Sequence, residues 1–239
     1  MKKQLYELKP GGRFTYGGIE WVSLEVDREV IALAVEPVFS RAFDDGNANN
    51  WHEASLRWEL NGPFVDALVQ EGAAKGEFLP FESDLTADDG ATDYGETTDV
   101  IALLTCDLYR EFRALIPRTN QWCWTVTPWT CLDHYSDRVR TINDYGVLHY
   151  DHAKNACGGV RPLVHLKADT PVIVADEARG TATERAAMIA EAEEAVICTL
   201  GDYPAKIWGD VLGGVVASLI DMKQEAAEIA QINKKAVEG

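Results

Sequence analysis

The runs 19–26 (IEWVSLEV) and 29–35 (EVIALAV) space their apolar residues as pleated strands do, and Asp27-Arg28 joins them. They predict a β-hairpin near the amino end. Residues 51–60 and 63–69 read instead as two short helices parted by Asn61-Gly62, with Ser55 and Asn61 as candidate caps. The apolar run 100–104 predicts a short buried strand. Asp107 is placed to cap a following helix on which Leu108, Phe112 and Leu115 share one face. Further short strands are predicted over 122–127, 138–142, 146–150 and 160–166. Many short strands, long polar loops and few helices make residues 1–168 an α+β domain with an irregular sheet.

The pattern changes after Ala178, where Ala, Glu, Ile and Lys take over. Residues 169–180, with Thr170-Pro171 and Arg179-Gly180, suit a linker or a last edge strand. Beyond them, 181–239 predicts a two-helix module. Thr181-Ala182-Thr183-Glu184 fits a capping box, Gly201 ends the first helix, and Pro204 suits the first turn of the second. Ile207, Val211, Val215 and Leu219 form one apolar stripe on that second helix. Gly209, Gly213 and Ala217 would let another helix approach closely. Two readings stand: a helical hairpin packed on the first domain, or self-association through the stripe.

Charge narrows the partners. Among 239 residues, 39 Asp and Glu oppose 22 Lys and Arg, a net charge of −17 that argues against gripping phosphate backbones directly. The same acidity permits a partner with a basic surface. No apolar run reaches the ~18–20 residues of a membrane span, and the amino end lacks an apolar leader core, so a soluble chain outside the Sec route is expected. The five Cys include no C-x-x-C pair and read as reduced thiols.

The densest group of ligand-type residues is Cys131-x-x-His134, followed by His149-x-x-His152 and Cys157. Thiolate and imidazole are zinc ligands at such spacings, and equally they are ordinary loop residues. The acidic tracts 44–50 and 84–90 offer clustered oxygens but do not match the offsets of a helix–loop–helix calcium site, and solvated turns are the expectation. There is no G-x-S-x-G, no G-K-[ST] phosphate loop and no G-x-G-x-x-G after a strand, so no catalytic residue and no cofactor is assigned. Six of the seven Trp lie between Trp21 and Trp129. Trp122, Trp124 and Trp129, with Tyr135 and Tyr150, suit either stacking on sugars or bases or filling a core.

Certain residues form a series of ordered landmarks: Gly12-x-Phe14, Glu20-Trp21-x-x-Leu24, Asn50-Trp51-x-x-Ala54-x-Leu56-Arg57-x-x-Leu60-Asn61, Trp122-x-Trp124-x-x-Thr127-Pro128 and Gly158-Gly159-Val160-Arg161-Pro162. This order resembles an uncharacterised domain family of gut bacteria and their phages, over roughly residues 5–166. The family's usual Ser is replaced by Ala54, and its Arg before Ser-Pro by Thr125-Val126. The arrangement is also similar to C-type-lectin-like and formylglycine-generating-enzyme-like folds, which close with a Trp-bearing strand and a G-[FV]-R segment.

The resemblance implies a C-type-lectin-like sheet domain, which the two helices read from the pattern would follow. Together with the lack of a catalytic motif, the acidic charge and the helical tail, it leads to the expectation of a non-enzymatic binding or structural module of phage or prophage origin, in the host cytoplasm or the virion, with a protein partner and self-association through the helices. Arg57 and Arg161 join the Trp residues as candidate ligand contacts, or else tie loops together through their several donors. An acidic inhibitor of a host protein is the alternative, and a metal-dependent enzyme the third.

Overall fold

A computed structural model describes residues 2–174. Its strands, in chain order, are β1 (Lys2–Gln4), β2 (Arg13–Tyr16), β3 (Ile19–Val26), β4 (Glu29–Ala34), β5 (Phe39–Ser40), β6 (Phe78–Leu79), β7 (Phe81–Asp84) and β8 (Glu96–Asp99). Then follow β9 (Ile101–Ala102), β10 (Cys123–Pro128), β11 (Arg138–Ile142), β12 (Leu148–His152), β13 (Gly159–Val160), β14 (Leu163–Lys167) and β15 (Pro171–Ile173). Among the described residues, helix is confined to one run, α1 (Ser55–Glu59), a π turn (Leu60–Phe64) and α2 (Val65–Gln70), and to the short α3 (Cys106–Phe112), besides single 3-10 turns.

The β3–β4 hairpin forms where the apolar spacing places it. Ahead of it, β2 turns into β3 through Gly17 and Gly18, whose φ of 56° and 74° suit the tight two-residue turn that side-chain-bearing residues resist. An eight-stranded sheet grows from this meander in the order β1-β15-β2-β3-β4-β14-β6, with β9 also paired to β14. A five-stranded sheet runs β12-β11-β10-β13-β5, and β7 and β8 make a separate hairpin. The core lies among these layers. Phe43 packs against both Trp51 (5.3 Å) and Trp124 (5.9 Å), and Trp21, Trp51 and Trp124 are at most 1% exposed. Each of these indoles donates its N–H to a fixed acceptor: the Tyr16 carbonyl, the Asp99 carboxylate and the Arg41 carbonyl.

The architecture corrects the expected fold class. It is mostly β, built of two curled sheets and a hairpin, not an α+β C-type-lectin-like domain. Strands such as β1, β5, β6 and β15 have two or three residues, too short to show an alternation, and exist only because distant partners complete them. The two-helix module over 181–239, with Ile207, Val211, Val215 and Leu219, lies outside the described residues, and nothing in the structure supports it.

Local readings are corrected too. The helix does not stop at Asn61-Gly62. The Asn61 side chain donates to the carbonyls of Arg57 and Ile101 and accepts from the amides of Val100 and Ile101, so the chain continues through a π turn into α2. Ser55 is not the α1 cap; its hydroxyl accepts from the Asp45 amide. Thr105, not Asp107, caps α3, accepting from the Leu108 amide at 3.0 Å. The predicted strand 160–166 is two strands of different sheets, parted at Arg161-Pro162.

On β14, His165 stacks on Phe81 (4.1 Å, 6° between planes), and its Nδ1 lies 2.9 Å from a Glu29 carboxylate oxygen. Burial lowers its pKa from the ordinary 6.5, against the upward pull of Glu29. The folded protein therefore refuses a proton that the unfolded chain accepts. Stability at this position is present above the ordinary imidazole pKa and is lost as pH falls through it towards the lowered folded value. Urea titrations between pH 8 and pH 5 should show stability falling on the acid side. His165→Gln should flatten that fall, and an unchanged pH slope in the variant would refute the assignment.

Candidate binding surface

The five-stranded sheet builds a half-exposed aromatic surface on its outer strands. β11 pairs with β12 in a register that sets Arg138 opposite His152 and Arg140 opposite Tyr150, while Val139 and Thr141 between them are buried. The Arg138 guanidinium lies over three rings: Tyr135 at 4.5 Å, Trp129 at 5.0 Å and Tyr150 at 5.2 Å. Arg140 approaches the Trp129 ring at 5.4 Å. Its Nε donates to Asp88 at 2.9 Å, and its terminal nitrogen forms a second, shorter contact with the same carboxylate. Arg110 donates to the other Asp88 oxygen at 3.0 Å. Burial opposes ionisation of Asp88, but these two guanidinium groups override it and hold its carboxyl below the usual carboxylate range.

This surface is fixed from beneath. Asn49, with no exposed surface, donates from one amide nitrogen towards the carbonyls of Thr130 (2.9 Å), Arg138 (3.0 Å) and Tyr135 (3.3 Å), and accepts from the Tyr94 hydroxyl. It clamps the loop that carries Trp129 and Tyr135, so both rings are held before any ligand arrives. The acidic tract beginning at Asp44 serves the same purpose locally: its carboxylate accepts from the Ala48 and Ser55 amides, the latter opening α1.

Beside the aromatic surface lies an open trough of about 440 Å³, lined by Asn120, Trp122, Asp144, His149, Tyr150 and Asp151 among others. Trp122 is half-buried and meets Trp124 edge to face at 4.8 Å and 84°. The two alternate positions share one side; Trp124 is buried in the core, and Trp122, just ahead of β10, packs partly buried against it.

The remaining sequence-derived candidates separate by role. Arg57 donates to the fully buried Asp99 carboxylate at 2.7 Å and to the carbonyls of His52 and Thr98, while Trp51 and Thr97 supply that carboxylate's other hydrogen bonds. The landmark run from Trp51 to Asn61 thus ties α1 to the junction of β8 and β9. Arg161 is 4% exposed and donates to three main-chain carbonyls, of Ala34 (2.7 Å), Val35 (2.8 Å) and Pro117 (3.1 Å).

Cys131, His134, His149 and His152 do not converge. Residues three apart on β12 point to opposite faces, and His152 turns to Asp137 at 2.7 Å while His149 bonds the Tyr150 carbonyl at 2.8 Å. Among the described residues no group of three or more His, Cys, Asp or Glu is placed to hold a metal ion. Burial pushes the thiols of Cys106, Cys123 and Cys131 up, which leaves them protonated and poor nucleophiles at neutral pH. Sequence reasoning missed Arg138, Arg140, Asp88 and Asn49. The alternation Arg-x-Arg within a strand-like run was the available signal for the first two.

No protein-family model, curated protein or solved structure matches this chain. The likeness drawn from the ordered landmarks stands on those residues alone. No helix among the described residues is long and apolar enough to cross a membrane.

Proposed function

We propose that this protein is a non-enzymatic recognition module of phage or prophage origin, which meets its partner through the outer face of the five-stranded sheet. One observation carries the recognition reading: Trp129, Tyr135 and Tyr150 are gathered around Arg138 on the surface, while a separate set of aromatics fills the core. Aromatic rings locked by packing and offered to solvent suit contact with another molecule, because little side-chain freedom is left to lose on binding. The phage origin is supported by the order of the landmark residues. A place in the virion, reached by assembly in the host cytoplasm, belongs to the same proposal.

Mass spectrometry of purified particles released by cells carrying the gene tests it. The chain is expected there in stoichiometric amount. Its absence from particles, together with a monomer by light scattering, overturns the virion placement.

A further inference from the structure

We infer that the trough between the β11–β12 hairpin and the segment leading into β10 is a saccharide site, taking a short run of neutral pyranose units. The inference goes beyond the recognition reading above, because β12 turns His149 and Asp151 to the face opposite the one that pairs with Arg138 and Arg140. A pyranose offers an apolar C–H face and a rim of hydroxyls, each both donor and acceptor. A site for it therefore needs a flat aromatic wall beside amides and carboxylates, and the trough has these.

Trp122 is the wall. Its indole is braced edge-on by Trp124, which is itself held by its bond to the Arg41 carbonyl, so the ring keeps one orientation without a ligand. His149 adds a second flat face. It lies parallel to Tyr150, 5.2 Å away at 5°, and its Nδ1–H donates to the Tyr150 carbonyl, which leaves Nε2 for a hydroxyl. The rim is polar. Asn120 and Asp144 are exposed, and Asp151 uses one carboxylate oxygen for the His152 amide, leaving the other for hydroxyl donors.

Other ligand classes fit less well. Asp144 and Asp151 repel a phosphate backbone, in a chain already at −17. A wholly apolar ligand would strip water from amides and carboxylates without replacing their hydrogen bonds.

The test is calorimetric titration of the full chain with the neutral hexaoses of glucose, mannose, galactose and N-acetylglucosamine. At least one should bind, with an affinity indifferent to added salt. Asp144→Ala, on an exposed turn, and Trp122→Ala should each weaken it about tenfold. Melting curves should confirm that Asp144→Ala folds as the parent does. Failure of all four hexaoses to bind overturns the saccharide site, as does binding that survives both substitutions unchanged. So does salt-sensitive binding of poly-lysine alone, weakened by Asp144→Ala. These outcomes are separable from the particle experiment: a chain found in virions that binds no hexaose keeps its recognition role and loses this ligand class.

Discussion

Replacing Arg161 by Ala is expected to lower stability by about 3–5 kcal/mol, because it removes a charged donor buried at the passage between the two sheets. The chain leaves β13 in the five-stranded sheet, turns at Arg161-Pro162, and enters β14 in the eight-stranded one. At that turn the guanidinium satisfies the carbonyls of Ala34 and Val35 at the end of β4, and of Pro117 ahead of β10. Among the described residues no carboxylate pairs with it directly, and burial lowers its pKa from the ordinary arginine value. The charge is tolerated because three oriented carbonyl dipoles replace its water. Once the side chain is gone, those carbonyls remain buried without donors, and each carries a desolvation cost.

Arg161→Lys should recover only part of the loss, since an ammonium cannot reproduce a planar fork spread over three acceptors. In thermal melts followed by circular dichroism, Arg161→Ala should melt roughly 6–20 °C below the parent. An unchanged melting temperature accompanied by altered ligand binding would instead make Arg161 a recognition residue.

Gly158→Ala should be comparably damaging, for a steric reason. A Cβ at this position would lie 1.9 Å from Trp124 Nε1 and 2.3 Å from its Cε2, well inside contact distance. Neither side can retreat easily. Trp124 is 1% exposed and bonded to the Arg41 carbonyl, and the Gly158 carbonyl accepts from the Arg41 amide at 3.0 Å. Overpacking against a fixed ring and a fixed main chain is expected to cost about 3 kcal/mol or more. Gly62→Ala is the contrast: nothing lies within 4 Å of its added methyl, and it sits within the helical run. That change should be neutral or stabilising by about 0.5–1 kcal/mol.

Combining Gly158→Ala with Trp124→Phe, which removes the clashing nitrogen-bearing ring, should cost less than the sum of the two single changes. Strict additivity in urea denaturation would show that the clash is relieved elsewhere. The Gly158-Gly159 pair in the landmark sequence thereby gains a physical reason, because a Cβ at Gly159 would likewise come within 2.9 Å of the Trp122 carbonyl.

The parts of this protein legible from sequence are those whose information is local. The β3–β4 hairpin and β11 can be read from the spacing of apolar residues within a few positions, because a pleated strand with one buried face needs that spacing whatever surrounds it. Most of the architecture is not local. β1 is completed by β15, and β14 is completed by β4, β6 and β9; two-residue strands carry no periodicity of their own. Asn61-Gly62-Pro63 reads as a helix stop and is overridden by hydrogen bonds reaching 100–101. For the same reason an α+β class was expected where a mostly β one formed.

The surface divides in the same way. Residue types announced aromatic and basic groups, but Trp122 and Trp124, two positions apart on one side, differ in burial only because Phe43, Gly158 and the Arg41 carbonyl close around the second. Nothing near Arg138 in sequence indicates that Trp129, Tyr135 and Tyr150 gather around it, since that depends on the β11–β12 register and on Asn49, some ninety residues away, clamping the intervening loop. Composition and short-range pattern determined which segments can be strands and which side chains can recognise a ligand. Tertiary structure decided which of those side chains are buried as scaffold and which are offered to solvent, because burial is a property of the chain's distant neighbours and not of the residue itself.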